Sequence, residues 1–233
     1  MSPPAPRPTS ARRPLHVLFD LDGTLADTAP DLGGAANDLL AELGHAPLPQ
    51  ERYRPECSKG ARGMLAVALG LTPEDAGYES LRLRYLAFYA ARLDRDTQLF
   101  PEVRGLLAKL DALRITWGIV TNKPMLYTRP VTQALGLATH AGCIVGGDSA
   151  ARPKPAPDPL LLACELLKVA PEDCWYVGDD RRDMEAGRAA GMRVAAASWG
   201  YIGADTDPRH WNADALLHQP TDLLPLLNAR HAD

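Results

Sequence analysis

Two carboxylates one residue apart follow the first apolar stretch of the chain. Residues 15–19 are apolar apart from His16, a pattern typical of a strand buried on both faces, and Asp20 and Asp22 come directly after it. Because residues i and i+2 of a strand lie on one face, both carboxylates can face one site. Two negative charges that close repel each other unless a cation or a shared proton offsets them. The pattern indicates either a charged site at a strand end or an ordinary surface turn.

Polar residues follow three further apolar stretches, near the points where strands are predicted to end. These residues are Thr121 and Asn122, then Lys154, then Asp179, Asp180 and Asp183. Taken singly, they have ordinary structural explanations as a cap, a solvated lysine and a turn. In an open α/β sheet, however, the strand ends meet at one edge, where ligands are bound. Their common position therefore favours one shared site.

The residue types in these segments suit phosphoryl transfer. Asp20, Asp22 and Asp179 offer oxygen ligands and no sulfur, the set that Mg²⁺ prefers. A carboxylate that attacks a phosphate dianion is repelled by it, and a divalent cation together with Lys154 would offset that repulsion. The Thr121 hydroxyl and nearby backbone N–H groups would hold the remaining phosphoryl oxygens. We therefore expect these residues to act on a small phosphate ester.

Helices and strands alternate after residue 100. Strands are predicted at 115–121, 143–145, 174–177 and 193–197, and helices at 102–113, 125–135, 158–169 and 182–190. Short apolar strands separated by helices predict right-handed crossovers between parallel strands. The predicted fold class is therefore α/β, with a Rossmann-like, doubly wound parallel sheet.

A helical block interrupts this pattern directly after the first strand. No strand is predicted between residues 27 and 99. Helical spacing occurs there at 27–43, 63–69 and 78–93, with an expected break at Gly33-Gly34 and a proline-marked, non-helical passage at 47–55. We predict a core domain of residues 15–26 and 100–233, a helical cap of residues 27–99 over the strand ends, and a flexible arm at residues 1–14.

Composition argues against several classes of function. The chain has 233 residues and a formal net charge of −4, so no overall basic field favours nucleic acid. No apolar run approaches the roughly 20 residues that span a bilayer, and the first 14 residues lack the apolar segment of a secretory signal. The four cysteines have neither CxxC nor zinc-ligand spacing. We expect a cytoplasmic monomer or homodimer with reduced cysteines and without nucleic-acid or membrane partners.

The polar segments together resemble the four motifs of haloacid-dehalogenase-superfamily phosphatases. The matching residues are Asp20-Leu21-Asp22-Gly23-Thr24, Thr121-Asn122, Lys154 and Gly178-Asp179-Asp180-x-x-Asp183. The resemblance covers the chain after residue 14 and implies a doubly wound core with an inserted α-helical cap. It also implies that Asp20 is the nucleophile and that Asp22 protonates the leaving alcohol and later activates water.

The resemblance further implies a cofactor and its ligands. Mg²⁺ would be bound by Asp20, the backbone carbonyl of Asp22 and Asp179, with Asp183 and Asp180 behind these ligands. Asp180 stands where relatives often carry Ser. Dehalogenases of the superfamily lack an acid two residues after the nucleophile, because a halide needs no proton. Asp22 therefore favours a phosphatase or a phosphomutase.

Residues expected to bind the substrate come from both parts of the chain. Thr24 and Asn122 belong to the core motifs. Lys59, Gly60 and Arg62 lie in a glycine-containing stretch of the cap, which suits a loop that reaches an anionic group of the substrate. Exposed charges at a helix N-terminus are the plain structural alternative for this stretch.

Two stretches resemble the N-acetylmuramic acid 6-phosphate phosphatase branch of the superfamily. The first stretch is similar to its cap loop at Ser58, Gly60, Ala61, Arg62 and Met64, whereas Lys59 stands where Gly is usual. The second is similar to a pattern of its tail, and consists of Gly200-Tyr201-Ile202 followed by Pro208-x-His210-Trp211-x-Ala213-Asp214. Packing of Trp211 on the core is a simpler explanation of the second match. The resemblance implies N-acetylmuramic acid 6-phosphate as substrate, in cell-wall recycling, with phosphoglycolate as the alternative because both carry a carboxylate. A phosphomutase and a receiver-like phosphorylatable signalling domain are the remaining alternatives.

Overall fold

A parallel sheet forms the centre of the molecule, which is described here from a computed structural model covering residues 16–203 and 206–228. The predicted arm at residues 1–14 lies outside the described residues. The strands are β1 (His16–Phe19), β2 (Ala26–Asp27), β3 (Gln98–Leu99), β4 (Trp117–Val120), β5 (Ile144–Val145), β6 (Cys174–Gly178), β7 (Arg193–Ala197) and β8 (Ala215–Leu217). Six of them form the parallel sheet in the order β5-β4-β1-β6-β7-β8.

Helices cover both faces of this sheet. They are α1 (Ala29–Glu42), α2 (Gln50–Tyr53), α3 (Gly60–Leu69), α4 (Tyr78–Ala90), α5 (Val103–Ala112), α6 (Met125–Ala134), α7 (Asp158–Leu167), α8 (Arg181–Ala189) and α9 (Leu223–Asn228). Successive residues of β1 enter different cores, with Val17 packing in the core that contains Leu106 of α5 and Leu18 in the core that contains Leu160 of α7. Burial on both faces explains why the strands are continuous apolar runs. The predicted doubly wound α/β fold is confirmed.

Helices α1 to α4 lie between β2 and β3 and form the inserted helical cap. They pack on one another and bury Leu39 and Tyr85 between them. Strands β2 and β3 pair antiparallel, with Ala26 opposite Leu99 and Asp27 opposite Gln98, so the chain enters and leaves the cap through a two-stranded ribbon. The exact division of core from cap at residues 26–27 and 99–100 stays a prediction.

Several predicted details of the elements are wrong. Strand β3 lies where no strand was expected, and β8 was not predicted, since strands of two or three residues are too short to show a period. Helix α2 forms within the proline-marked passage, and a 3-10 helix follows it at Arg54–Lys59. Pro49 directly precedes α2 and Pro55 lies in the first turn of the 3-10 helix, positions at which proline is tolerated.

Helix α1 also runs through Gly33-Gly34 without the expected break. The two glycines are places of close packing instead. The Gln50 side chain donates hydrogen bonds to the Ala29 and Pro30 carbonyl oxygens at 3.0 and 2.8 Å and occupies the space that a side chain at position 33 would need. The Arg92 guanidinium likewise occupies the space that a side chain at position 34 would need. The pair therefore lets other cap segments approach α1.

The described residues bear on the predictions about the cysteines, about His210 and Trp211, and about membrane-spanning segments. All four cysteines are free and buried. Trp211 is buried and packs in the core that contains Leu18, whereas His210 is exposed. No helix in the described part of the chain is long and apolar enough to cross a membrane. Core packing therefore accounts for Trp211.

Candidate active site

The predicted polar segments converge at the carboxyl edge of the parallel sheet. Strand β1 pairs with β4 on one side and with β6 on the other, so Asp20, Thr121 and Asp179 each follow the end of one of three adjacent strands. Lys154, from the loop after β5, reaches the same edge and lies 3.1 Å from Asp20 Oδ1. The topology thus brings together residues that are more than a hundred positions apart in the sequence.

Three carboxylates form a buried acidic cluster around this point. Asp20, Asp179 and Asp183 each offer an oxygen within 4.8 Å of those of the other two. Burial, with the neighbouring carboxylates, raises the pKa of Asp20 to about 7 despite the opposing effect of Lys154, and burial raises the pKa of Asp179 well above its usual value. Three buried acidic groups facing one lysine are an unfavourable arrangement in isolation. The cluster therefore fits a divalent cation bound through oxygen ligands.

Lys154 is the cation that this cluster already contains. Its side chain is 3% exposed, and its ammonium group lies 2.7 Å from Asp183 Oδ1. The ammonium group also donates to the Tyr176 hydroxyl at 2.7 Å and to the Val120 carbonyl at 3.2 Å. Burial acts to lower the pKa of Lys154, but the Asp183 and Asp20 carboxylates raise it above its usual value. The lysine is therefore charged and held next to Asp20.

Asn122 and Thr24, both expected to contact substrate, support other residues of the site. The Asn122 side-chain amide donates to the Lys154 carbonyl and accepts from the Lys154 N–H, both at 2.9 Å, and so holds the Lys154 loop in place. The Thr24 hydroxyl donates to Asp179 Oδ1 at 2.8 Å and is absent from the cavity lining. Asp179 Oδ2 accepts from the Tyr201 N–H at 2.8 Å, so both of its oxygens are oriented.

The turn after β1 requires a glycine. Gly23 has a φ of +83°, a conformation that favours glycine, and a side chain there would overlap the Asp179 carboxylate. The Leu21 N–H donates to Asp20 Oδ1 at 2.7 Å. The Asp-x-Asp-Gly-Thr sequence therefore encodes a turn that fixes Asp20 and lets the segment approach Asp179.

The Asp22 carboxyl group lies apart from the acidic cluster and has its own cation. Asp22 Oδ1 accepts hydrogen bonds from Lys123 Nζ at 2.8 Å and from the Thr28 hydroxyl at 2.7 Å. Burial acts to lower the pKa of Lys123, but Asp22 raises it, so the ammonium stays charged. The family resemblance implies only the backbone carbonyl of Asp22 as a metal ligand, and a side chain placed away from the cluster is compatible with that role.

Asp183 and Asp180 differ in their contacts. Asp183 belongs to the acidic cluster and accepts hydrogen bonds from Lys154 Nζ at 2.7 Å and from the Asp180 N–H at 3.0 Å. Asp180 caps α8 and binds Arg182, whose guanidinium also donates to the Ser58 carbonyl of the cap at 2.7 Å. Asp180 therefore orients the Arg182 guanidinium, which links the core to the cap.

A cavity of about 440 Å³ separates the acidic residues from the cap. The predicted residues that line it are Asp20, Asp22, Thr121, Asn122, Lys154, Lys59, Gly60, Arg62, Asp180 and Asp183. Arg62 is exposed and makes none of the ion pairs found among residues 16–203 and 206–228. The cap therefore places a free cation opposite the strand ends.

Several lining residues were missed by sequence reasoning. They are Lys123 and Arg182, and the tyrosines Tyr78, Tyr85, Tyr89 and Tyr127. Lys123 directly follows Thr121-Asn122, and this proximity is the one signal that could have suggested it. Aromatic residues at helical spacing usually belong to a core, and Tyr85 and Tyr89 are indeed buried, so their spacing gave no sign of a cavity wall.

The chain is similar to known proteins over most of its length. A family model described as haloacid dehalogenase-like hydrolase matches residues 17–197. The N-acetylmuramic acid 6-phosphate phosphatase of Pseudomonas putida is 40% identical over 213 residues, which are 91% of this chain and 96% of that protein. The phosphoglycolate phosphatase of Xanthomonas campestris is 45% identical over 212 residues, with the same two coverages.

The fold is shared with solved structures as well. A haloacid dehalogenase-like family hydrolase from Streptococcus pneumoniae has a TM-score of 0.78 at 25% identity, covering 91% of this chain and 97% of that one. The receiver-like alternative is wrong, because the relatives of this similarity are phosphatases and not signalling domains. The chain therefore belongs to the haloacid dehalogenase-like hydrolases, and within them it is a phosphatase.

Proposed function

We propose that this phosphatase hydrolyses a small, carboxylated phosphate monoester through a phosphorylated Asp20. One observation carries the proposal. The Asp20 carboxyl group lies in the cavity beside Lys154, at 3.1 Å, while a second carboxyl group two residues on, Asp22, is kept apart by its own lysine. Two acidic groups in different surroundings suit two different roles.

In the first step an oxygen of Asp20 attacks phosphorus and the bond from phosphorus to the ester oxygen breaks. Asp20 Oδ1 is occupied by the Leu21 N–H and Lys154, which leaves Oδ2 for the attack. Asp22 gives its proton to the departing ester oxygen, and the alcohol leaves. The charge of Lys154 stabilises the phosphoryl oxygens during the transfer, together with the Thr121 hydroxyl.

In the second step Asp22, now a carboxylate, removes a proton from water. The water oxygen bonds to phosphorus, the bond from phosphorus to Asp20 breaks, and inorganic phosphate is released. Asp22 regains its proton and Asp20 returns as a carboxylate. Dividing the reaction through a covalent intermediate replaces one slow displacement by two easier ones.

The acidic cluster would hold Mg²⁺ through Asp20, Asp179 and the backbone carbonyl of Asp22, with Asp183 beside them. When bound, the ion supplies positive charge next to the phosphoryl oxygens. Three buried carboxylates face one lysine, and burial raises the pKa of Asp20 and of Asp179, which supports this assignment.

Removal of divalent cations should abolish most of the activity. We expect an excess of EDTA to lower kcat by at least ~100-fold, because several kcal/mol of charge stabilisation is lost, and added Mg²⁺ to restore it. Phosphate release from an alkyl phosphate measures the effect. Calcium, which prefers longer bonds and more ligands, serves as the control and should restore little. Full activity after exhaustive chelation would contradict the magnesium assignment.

N-acetylmuramic acid 6-phosphate is the first candidate substrate and phosphoglycolate the second. A cavity of about 440 Å³ with several tyrosines in its wall suits a sugar better than a two-carbon acid. Relatives at 40% and 45% identity bear one name each, so similarity alone favours neither. Comparison of kcat/KM for the two esters decides between them, and a ~100-fold preference corresponds to about 2.7 kcal/mol.

Arg62 should recognise the carboxylate of the substrate. We expect Arg62→Ala to raise KM for N-acetylmuramic acid 6-phosphate by ~10-fold, because an exposed charge-assisted contact is lost. N-acetylglucosamine 6-phosphate, which lacks the carboxylate, should be affected less than ~2-fold, and so should both esters in Arg52→Ala, an exposed cap arginine outside the cavity. Equal effects of Arg62→Ala on the two sugars would contradict this role.

A phosphomutase on the same fold is tested by the same assays. It would return the phosphoryl group to a sugar and yield an isomerised sugar phosphate with little free phosphate. Release of stoichiometric phosphate supports hydrolysis. Cytoplasmic location and a monomeric or homodimeric state remain predictions from the sequence.

A further inference from the structure

Lys123 is a buried cation of the cavity to which the mechanism above gives no part. It follows β4 and its side chain is 6% exposed. Its backbone is fixed at both ends, since its N–H donates to the Thr121 hydroxyl at 3.2 Å and its carbonyl accepts from the Gly147 N–H at 2.9 Å. The ammonium group therefore extends from a rigid base.

Two donors converge on a single oxygen of Asp22. Lys123 Nζ and the Thr28 hydroxyl both bind Oδ1, at 2.8 and 2.7 Å. Oδ2 accepts none of the hydrogen bonds found in the described parts of the chain, and Asp22 lines the cavity. Holding one oxygen from two directions fixes the rotation of the carboxyl group and leaves the other oxygen available.

The cap supplies the surface against which the ammonium group lies. Tyr89 of α4 is 2% exposed, and its ring centroid is 5.0 Å from Lys123 Nζ, a cation–π distance. Tyr127 of α6 packs against the same ring, with centroids 5.5 Å apart. A core lysine that binds Asp22 is thus placed directly against a cap residue.

We propose that Lys123 is a positioning residue that turns Asp22 Oδ2 toward the leaving oxygen, and that the Tyr89 ring sets where the Lys123 ammonium lies. The proposal rests on the proposed function, in which Asp22 protonates the leaving group. The cap would then orient the general acid, through Tyr89 and Lys123, as well as enclose the substrate. Lys123 makes its closest polar contact with Asp22 and is therefore not assigned to substrate binding.

The nature of the leaving group separates positioning of an acid from other roles. An alkyl phosphate needs its leaving oxygen protonated, whereas p-nitrophenolate leaves with little help from an acid. The ratio kcat/KM reports the steps up to departure of this first product. We therefore compare an alkyl phosphate with p-nitrophenyl phosphate, using Asp22→Asn as the reference for loss of the acid.

Lys123→Met should lower kcat/KM for the alkyl phosphate by ~30- to 100-fold and for p-nitrophenyl phosphate by less than ~5-fold, the pattern also expected of Asp22→Asn. Lys123→Arg should recover part of the alkyl activity. Tyr89→Leu should show a smaller selective loss, of ~5-fold, whereas Tyr89→Phe, which keeps the ring, should retain activity. Lys109→Met, at an exposed lysine of α5, is the matched control and should change neither rate.

Equal losses on the two substrates would overturn the proposal, because they would indicate damage to the fold or to phosphate binding. An unchanged alkyl rate in Lys123→Met would overturn it as well. Thermal unfolding identifies variants that do not fold, and Lys123→Arg and Tyr89→Leu carry the test if Lys123→Met fails to fold. These outcomes concern only the role of Lys123. If the proposed function itself were wrong, the Asp20→Asn enzyme would be active.

Discussion

Asp20→Asn should reduce phosphatase activity by at least ~10⁴-fold, equivalent to about 5.4 kcal/mol of barrier. The amide is nearly isosteric with the carboxyl group but is a poor nucleophile toward phosphorus. Phosphate release from the preferred ester, measured with Mg²⁺ present, checks the expectation. The same substitution removes one of three buried acidic groups that face a single lysine, so the Tm of the metal-free protein should be retained or raised.

Asp94→Asn, at an exposed carboxylate of the cap, is the matched control for this substitution. It should leave both activity and Tm unchanged. Asp20→Asn retaining more than a tenth of the normal rate would show that another group attacks phosphorus. A large fall in its Tm would show that the Asp20 carboxylate is needed for the fold.

Lys154→Met should have the second largest effect, on stability and activity together. The variant leaves the acidic cluster without a cation and removes the donor to the Tyr176 hydroxyl. Removing one partner from a buried ionic network costs about 3–5 kcal/mol, or roughly 10 °C in Tm for a chain of this size. We expect kcat to fall by ~10³-fold as well, since the charge beside the phosphoryl group is lost.

Thermal unfolding with and without Mg²⁺ measures the first effect, and phosphate release the second. Lys109→Met again provides the exposed comparison and should match the unmodified protein. A Lys154→Met enzyme with unchanged Tm would mean that the cluster does not depend on this charge. Unchanged kcat would contradict its role next to the phosphoryl group.

Much of the fold and the centre of the site could be predicted from the sequence. Strands buried on both faces are continuous apolar runs. The polar residues that follow such a run lie at the carboxyl edge of the parallel sheet, where ligands are bound. Asp20, Thr121 and Asp179 were located in this way, and the order of the strands then brought them together. Local pattern and global topology agree at these positions.

The remaining features depend on contacts that a local pattern does not contain. Strand β8 is three residues long, and the ribbon of β2 and β3 has two residues in each strand, too few for periodicity. The unbroken helix at Gly33-Gly34 depends on Gln50 and Arg92, which fold back onto it from elsewhere in the cap. Thr24 and Asn122 have the expected positions but hold Asp179 and Lys154. Only a tertiary structure shows which partner a hydroxyl or an amide binds.

The most direct test of the account is to locate the covalent intermediate. Asp22→Asn should still be phosphorylated by p-nitrophenyl phosphate but should hydrolyse slowly, because it lacks the base that activates water. Borohydride reduces an acyl phosphate to the alcohol, so peptide mass spectrometry of the trapped protein should find homoserine at position 20. A burst of p-nitrophenolate with aspartate intact at position 20, or with homoserine at another position, would show that Asp20 does not attack phosphorus.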